Sequence, residues 1–219
     1  MITLTFTNDA KLTNGLLRCG ILAGPLYVGL GLIQMAIRPG FDITRHSLSL
    51  MSNGNLGWIQ IFNFLVTGML LVLGAVGVKQ VLQSGLGSKW GPLMLGLYGL
   101  GLVGASIFSA DPALGFPPGT PLEGNPISWH GLLHFVAGTI GFSGFIAACF
   151  IFARRFKLLR QPGWAWYSLI TGILFLVSFV GIASGSKGPM SAFFAIAVVL
   201  GFTWITLLLH HLQAGLEGE

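Results

Sequence analysis

Six apolar stretches, each close to the ~20 residues needed to cross a bilayer core, constrain this 219-residue chain more than any other feature. They fall at about 15–37, 57–78, 91–110, 129–153, 164–184 and 191–212. Only 8% of the residues are charged, against about 25% in a typical soluble domain. The expected fold is therefore an all-α membrane protein, a six-transmembrane-helix bundle. A polar N-terminal arm (1–14) precedes it and a short tail (213–219) follows. The 33 glycines suit that class, because small residues let membrane helices approach closely. Ala137/Gly141 and Gly144/Ala148 give the fourth span a small-residue seam, and Gly96, Gly99, Gly101 and Gly104 do the same for the third.

The net charge of +5 is a topology signal and not a nucleic-acid footprint, because Lys and Arg concentrate on the cytoplasmic side of membrane proteins. With the N-terminus inside, Lys11, Arg18, Lys79, Lys89, Arg154, Arg155, Lys157 and Arg160 fall on the inner side. Arg38, Arg45 and Lys187 fall outside, so the expectation is N-in and C-in. Trp58 and Trp129 then mark the outer interface, and Trp90, Trp164 and Trp166 the inner one. Cys19 and Cys149 imply no disulfide framework. His210 and His211 suit interfacial anchoring.

Two connections are long, 38–56 and 111–128, and both are expected outside as structured loops. The first offers Asp42 as an N-cap and Gly54 as a C-terminal stop. A short helix between them would place Arg45, Ser49 and Asn53 on one face with His46 beside them. That helix either lies on the bilayer or turns Arg45 and His46 inward over the bundle. The second loop packs four prolines and two glycines into Pro112–Pro121, a stiff segment of fixed shape. Within it, Gly115, Phe116, Pro117, Pro118, Gly119 and Thr120 form a candidate substrate or partner loop. Asp111 either caps a helix begun by Pro112 or serves as a carboxylate beside the fourth span.

That span opens Trp129-His130-Gly131-Leu132-Leu133-His134. Its two histidines are four residues apart and share one helix face, at a depth where titratable groups are costly. With His46 and Asp111 they make a candidate set for zinc, which takes imidazole and carboxylate ligands and activates water at an open position. The alternative is a pair of interfacial histidines hydrogen-bonded to loop carbonyls. The spacing lacks the glutamate of the HExxH motif.

Phe41-Asp42, Arg45-His46-Ser47-Leu48-Ser49, Asn53-Gly54, Gly57-Trp58-Ile59-Gln60, Asp111-Pro112, Gly115 to Pro121 and His130 to His134 together resemble the family known as domain of unknown function 998. The resemblance runs from about residue 15 to 212. It implies a polytopic, mostly prokaryotic membrane protein of the inner or plasma membrane with six spans, and it implies no activity. The order His46, Asp111, His130, His134 is also similar to the zinc-ligand order of the alkaline ceramidase and adiponectin-receptor hydrolases. Those have seven spans and carry the HxxxH motif in the last.

Two function classes follow. One is a metal-dependent hydrolase or transferase acting on a lipid-like substrate, with His130, His134 and His46 on the metal, Asp111 as ligand or base and Arg45 holding an anion. The other is a non-enzymatic scaffold, lipid-binding or complex-assembly protein, whose partners would be membrane lipids or another membrane protein. Haem held between His46 and His130 or His134, or a transporter, are further alternatives.

Overall fold

Each apolar run becomes a helix because backbone N–H and C=O groups in lipid must find partners within their own segment. The computed structural model describes residues 3–123, 125–185 and 189–217, with side chains from residue 10 to 216 of these. The helices are α1 (Thr3–Ile37), α2 (Gly57–Val81), α3 (Trp90–Ile107), α4 (Trp129–Leu158), α5 (Pro162–Ala183) and α6 (Pro189–Glu217). All six are long and apolar enough to cross a membrane. Lys187, which the sequence assigns to the last outer connection, lies outside the described residues.

Most helices outrun the apolar stretches that predict them. α1 continues back through the polar residues 3–14, and α4 runs past Ala153 through Arg154, Arg155 and Lys157 to Leu158. Helical geometry does not end where hydrophobicity does, and basic residues are favourable at a helix C-terminus. α3 is the exception: it stops at Ile107, before the expected Ala110.

Neighbouring helices pack in chain order, α1 on α2, α2 on α3, and so on to α6, which closes back on α1. The result is a ring of six helices. One end gathers the 38–56 and 108–128 connections, tied to the start of α6 by a bond from Ser191 Oγ to the Arg45 carbonyl (3.2 Å). The other end gathers the termini and the two short connections, where Arg155 Nη1 donates to the carbonyls of Ser84 (3.3 Å) and Leu86 (2.8 Å). At that end His211 stacks on Trp164 (4.7 Å between centroids), so it packs as part of the bundle.

The small-residue seams do what they imply. A Cβ on Gly101 would lie 2.6 Å from the Gly141 Cα and 2.8 Å from the Ala137 carbonyl oxygen, so α3 and α4 touch backbone to backbone. Between α1 and α2, buried polar side chains add interhelical bonds. Gln34 Nε2 donates to Gln60 Oε1 (2.7 Å) and Asn63 Nδ2 to the Tyr27 carbonyl (3.1 Å), while within α2 Thr67 Oγ1 donates to Asn63 Oδ1 (3.2 Å) and fixes its amide. Such bonds average about 0.6 kcal/mol in membranes. Both cysteines are free thiols, Cys149 buried.

The axis of the ring is filled by aromatic side chains. Phe145, Phe152, Phe175 and Trp204 are fully buried and meet mostly edge-on or tilted, as with Phe145 against Trp204 (5.7 Å, 86°). This packing occupies the axis towards the terminal end. Towards the loop end the axis is left partly open.

Candidate functional site

The site is built where α3 stops and α4 begins. Once α3 ends, the carbonyls just past it have no helix to pair with, and the histidines of α4 supply donors. His134 Nδ1 bonds the Phe108 carbonyl (2.7 Å) and His130 Nδ1 the Ser109 carbonyl (3.3 Å). The i, i+4 spacing lets one face of α4 hold two consecutive carbonyls of the departing chain.

Asp111 completes the corner. It caps no helix at Pro112, where the chain has no regular structure. Instead Oδ2 accepts from the Ser128 backbone N–H (2.8 Å) and Oδ1 from Ser128 Oγ (2.5 Å). Ser128 in turn caps α4, accepting from the Gly131 N–H (3.1 Å). His130 Nδ1 lies 3.7 Å from Asp111 Oδ1. Burial acts to raise the Asp111 pKa, but the two Ser128 bonds with nearby His130 and His134 outweigh it and hold the carboxyl below its ordinary range. Gly131 makes room for this arrangement, since a Cβ there would fall on the Asp111 carboxylate.

The first loop does not form the helix expected between Asp42 and Gly54. Asp42 Oδ1 accepts from the N–H (2.9 Å) and Oγ1 (2.7 Å) of Thr44, closing a tight turn. These bonds place the half-buried Asp42 carboxyl below its usual range. A 3₁₀ helix, Leu48–Ser52, then dips over the ring with Leu50 and Met51 buried. Gly54 does end the segment, at φ +73°.

His46 turns inward, at 2% exposure. Its Nδ1 accepts from the Asp42 N–H (2.9 Å), so Nε2 is the donor to the Leu114 carbonyl (3.0 Å). Arg45 points outward and reaches the same carbonyl at 3.5 Å. The expected ligand set is therefore not assembled: both His46 nitrogens are occupied by backbone, and Asp111 is committed to Ser128. Among the described residues no group of three His, Cys, Asp or Glu is arranged to hold a metal ion. Nor is Arg45 joined to Asp111, since each has its own partners.

In the second loop Phe116 is buried at 1% exposure and is not offered to a partner. Phe41 meets its ring edge-on (5.4 Å) and His46 lies at the same distance. The Arg38 guanidinium stands 5.1 Å over it. Gly40 approaches Pro118, and Gly54 approaches Pro117. Pro118 and Gly119 are exposed, while Gly115, Pro117 and Thr120 are half-buried. The two loops thus interlock around one phenyl ring. Arg38 was not singled out from sequence, yet it is 7% exposed and donates to the Met51 (3.0 Å) and Asn53 carbonyls, tying the 3₁₀ helix to the end of α1. Burial lowers its pKa from the ordinary arginine value.

Beneath this plug lies an axial cavity of about 170 Å³, to which all six helices contribute. Tyr27, Phe64, Tyr98, Phe179 and Phe194 line it from α1, α2, α3, α5 and α6, and His134 and Thr139 from α4. Ser47, Leu48 and Ser49 of the first loop form its roof. The Thr139 hydroxyl is buried without a hydrogen-bond partner, although a helical threonine ordinarily bonds back to the carbonyl four residues earlier. Sequence reasoning passed over Tyr27, Tyr98 and Thr139; a polar atom inside an apolar run was the available signal.

Neither the curated proteins nor the solved structures contain a match to this chain. A family model does match, over residues 21–211, which takes in part or all of each helix and both interlocked loops. The chain is a multi-pass integral membrane protein and belongs to the family described as Protein of unknown function (DUF998).

Proposed function

We propose that this protein is a non-enzymatic membrane binding protein that holds part of a small lipid-like amphiphile in the axial cavity. The observation that carries the reading is the unpartnered Thr139 hydroxyl on a wall that is otherwise mainly aromatic and aliphatic. A buried polar group without a partner costs about 1–3 kcal/mol, and a ligand hydroxyl or carboxyl would recover that cost. An apolar cavity of ~150 Å³ accepts a benzene-sized guest. The volume of about 170 Å³ therefore suits one ring or a short chain segment, not a whole phospholipid.

The histidines and Asp111 support this reading by building the cavity and not by reacting. His134 is fixed to the end of α3 and contributes its ring to the wall, while the Asp111–Ser128 corner holds the start of α4. The interlocked loops close the roof. A bound guest would be shielded from water and enter from the bilayer or by displacement of the plug.

Gly138 lines the cavity, and a Cβ there would meet only the Phe142 ring, at 3.7 Å. The Cβ of a Gly138→Phe side chain therefore strikes no backbone, and its ring is introduced at the cavity wall. Native mass spectrometry of protein purified gently from its own membranes should find a bound amphiphile in the wild type and none in a folded Gly138→Phe variant. A wild type without bound mass, or a variant that keeps it, would overturn the proposal.

A further inference from the structure

At the terminal end, outside the ring, α4 and α5 leave a groove of about 630 Å³ between them. Its floor is apolar, with Phe150 and Ala153 from one face of α4 and Ala165 and Leu169 from the facing side of α5. Its mouth is basic, with Arg154, Lys157 and Arg160, and the exposed Trp166 stands beside them. No Asp or Glu occurs between Asn125 and Leu216 in the sequence, so this hairpin brings no carboxylate of its own to neutralise them.

The neighbouring arginine is a useful contrast. The Arg155 side chain is consumed by the Ser84 and Leu86 carbonyls, whereas the side chains of Arg154, Lys157 and Arg160 make no hydrogen bond or ion pair among the described residues and stay exposed. One or two cations at the end of α4 would satisfy its dipole. Three cations on one groove mouth exceed that need.

Arg160 adds a backbone argument. It occupies the left-handed position after α4 at φ +56°, with the Gln161 N–H bonding the Phe156 carbonyl (2.9 Å) and its own N–H the Lys157 carbonyl (3.2 Å). Glycine is the favoured residue there. An arginine keeps a cation at the groove mouth at the expense of local strain.

We infer that the α4–α5 groove binds one anionic phospholipid, its phosphate held by Arg154, Lys157 and Arg160 and an acyl chain laid along Phe150, Ala153, Ala165 and Leu169. Charge complementarity selects the anionic headgroup, and Trp166 has the amphipathic ring favoured at headgroup depth. Each basic residue near an anionic lipid surface contributes about fivefold in affinity.

The test is native mass spectrometry of detergent-solubilised protein titrated with dioleoyl phosphatidylglycerol and, separately, dioleoyl phosphatidylcholine. The wild type should take up one phosphatidylglycerol at least about tenfold more tightly than phosphatidylcholine. The triple variant Arg154→Gln/Lys157→Gln/Arg160→Gln should lose about a hundredfold of that affinity. A charge-matched triple at the same end, Lys11→Gln/Arg18→Gln/Lys79→Gln, should stay within about twofold of wild type. Arg160→Gly, which relieves the left-handed strain and so keeps the fold, should by itself lose about fivefold. Equal binding of both lipids by the wild type, equal losses in the two triples, or unchanged binding in Arg160→Gly would overturn the inference. Ala165→Leu narrows the apolar floor with every charge intact, and unchanged affinity there would overturn the acyl-chain half of it.

Discussion

Truncating Phe116 to alanine should open the plug while leaving the ring of helices in place. The ring is almost fully buried and touches Phe41, His46 and the Arg38 guanidinium. It belongs to a small cluster with Leu50 and Ala110, separate from the main core. Phe→Ala at such a site costs about 3–5 kcal/mol, a value that already includes the edge-on aromatic pair and the cation–π contact. Because the cluster is separate, the loss falls on loop closure and not on the bundle. At 1.36 kcal/mol per tenfold, the opening equilibrium should rise between about a hundredfold and a few thousandfold. Hydrogen exchange read by mass spectrometry on peptides covering 48–53 and 113–120 would report this directly. The mid-helix amides of α2 and α6 should keep wild-type protection. A rise of less than about tenfold in the two loops, or equal acceleration throughout the helices, would refute the view that Phe116 is the pin of a separable plug.

The packing of α3 against α4 makes three further predictions. Gly131→Ala should lower stability by about 1.5–3 kcal/mol, the worth of a hydrogen bond to a charged group, because the new methyl displaces Asp111 from Ser128. In an Asp111→Ser background the same change should cost little, and thermal unfolding of the four proteins in one detergent closes that cycle. Asp111 has a depressed folded-state pKa, so its stabilisation is complete above the ordinary carboxylate value of about 3.9 and disappears as pH falls through the lower folded value. Protection of the Ser128 amide, corrected for intrinsic exchange rates, should fall on that acid limb in the wild type and be independent of pH there in Asp111→Asn. Gly101→Val should destabilise by about 1–3 kcal/mol or more, since its side chain would meet the Gly141 and Ala137 backbone and no flexible side chain can yield; a thermal midpoint within a degree of wild type would contradict this.

Periodicity and length made the six helices legible, because a lipid-spanning segment can be little else. The glycine seams were legible for a similar reason: small residues in a membrane helix mark where backbones meet, and Gly101 with Gly141 bears that out. The partners of the polar residues were not readable. His46, His130 and His134 share a chemistry that suits zinc, but each ring also carries an N–H that suits a stranded carbonyl. Sequence order does not say that α3 ends at Ile107 and strands the carbonyls of Phe108 and Ser109. Nor does it say that Phe116 folds inward under Arg38, since an aromatic in a proline-rich loop is compatible with either face. The cavity was hidden for the most basic reason, that a void is a property of six packed helices and belongs to none of them.

The most direct test of the account places a probe in the axial cavity and asks where it reacts. Wild-type protein in phosphatidylglycerol nanodiscs would be irradiated with a small diazirine-bearing fatty alcohol, whose hydroxyl can meet Thr139, and the adducts mapped by peptide mass spectrometry. The account predicts adducts on residues lining the cavity, Phe142, Phe179 and Phe194 among them, suppressed in Gly138→Phe and weakened in Thr139→Val. Adducts confined to the lipid-facing side chains, with the same yield in all three proteins, would contradict it.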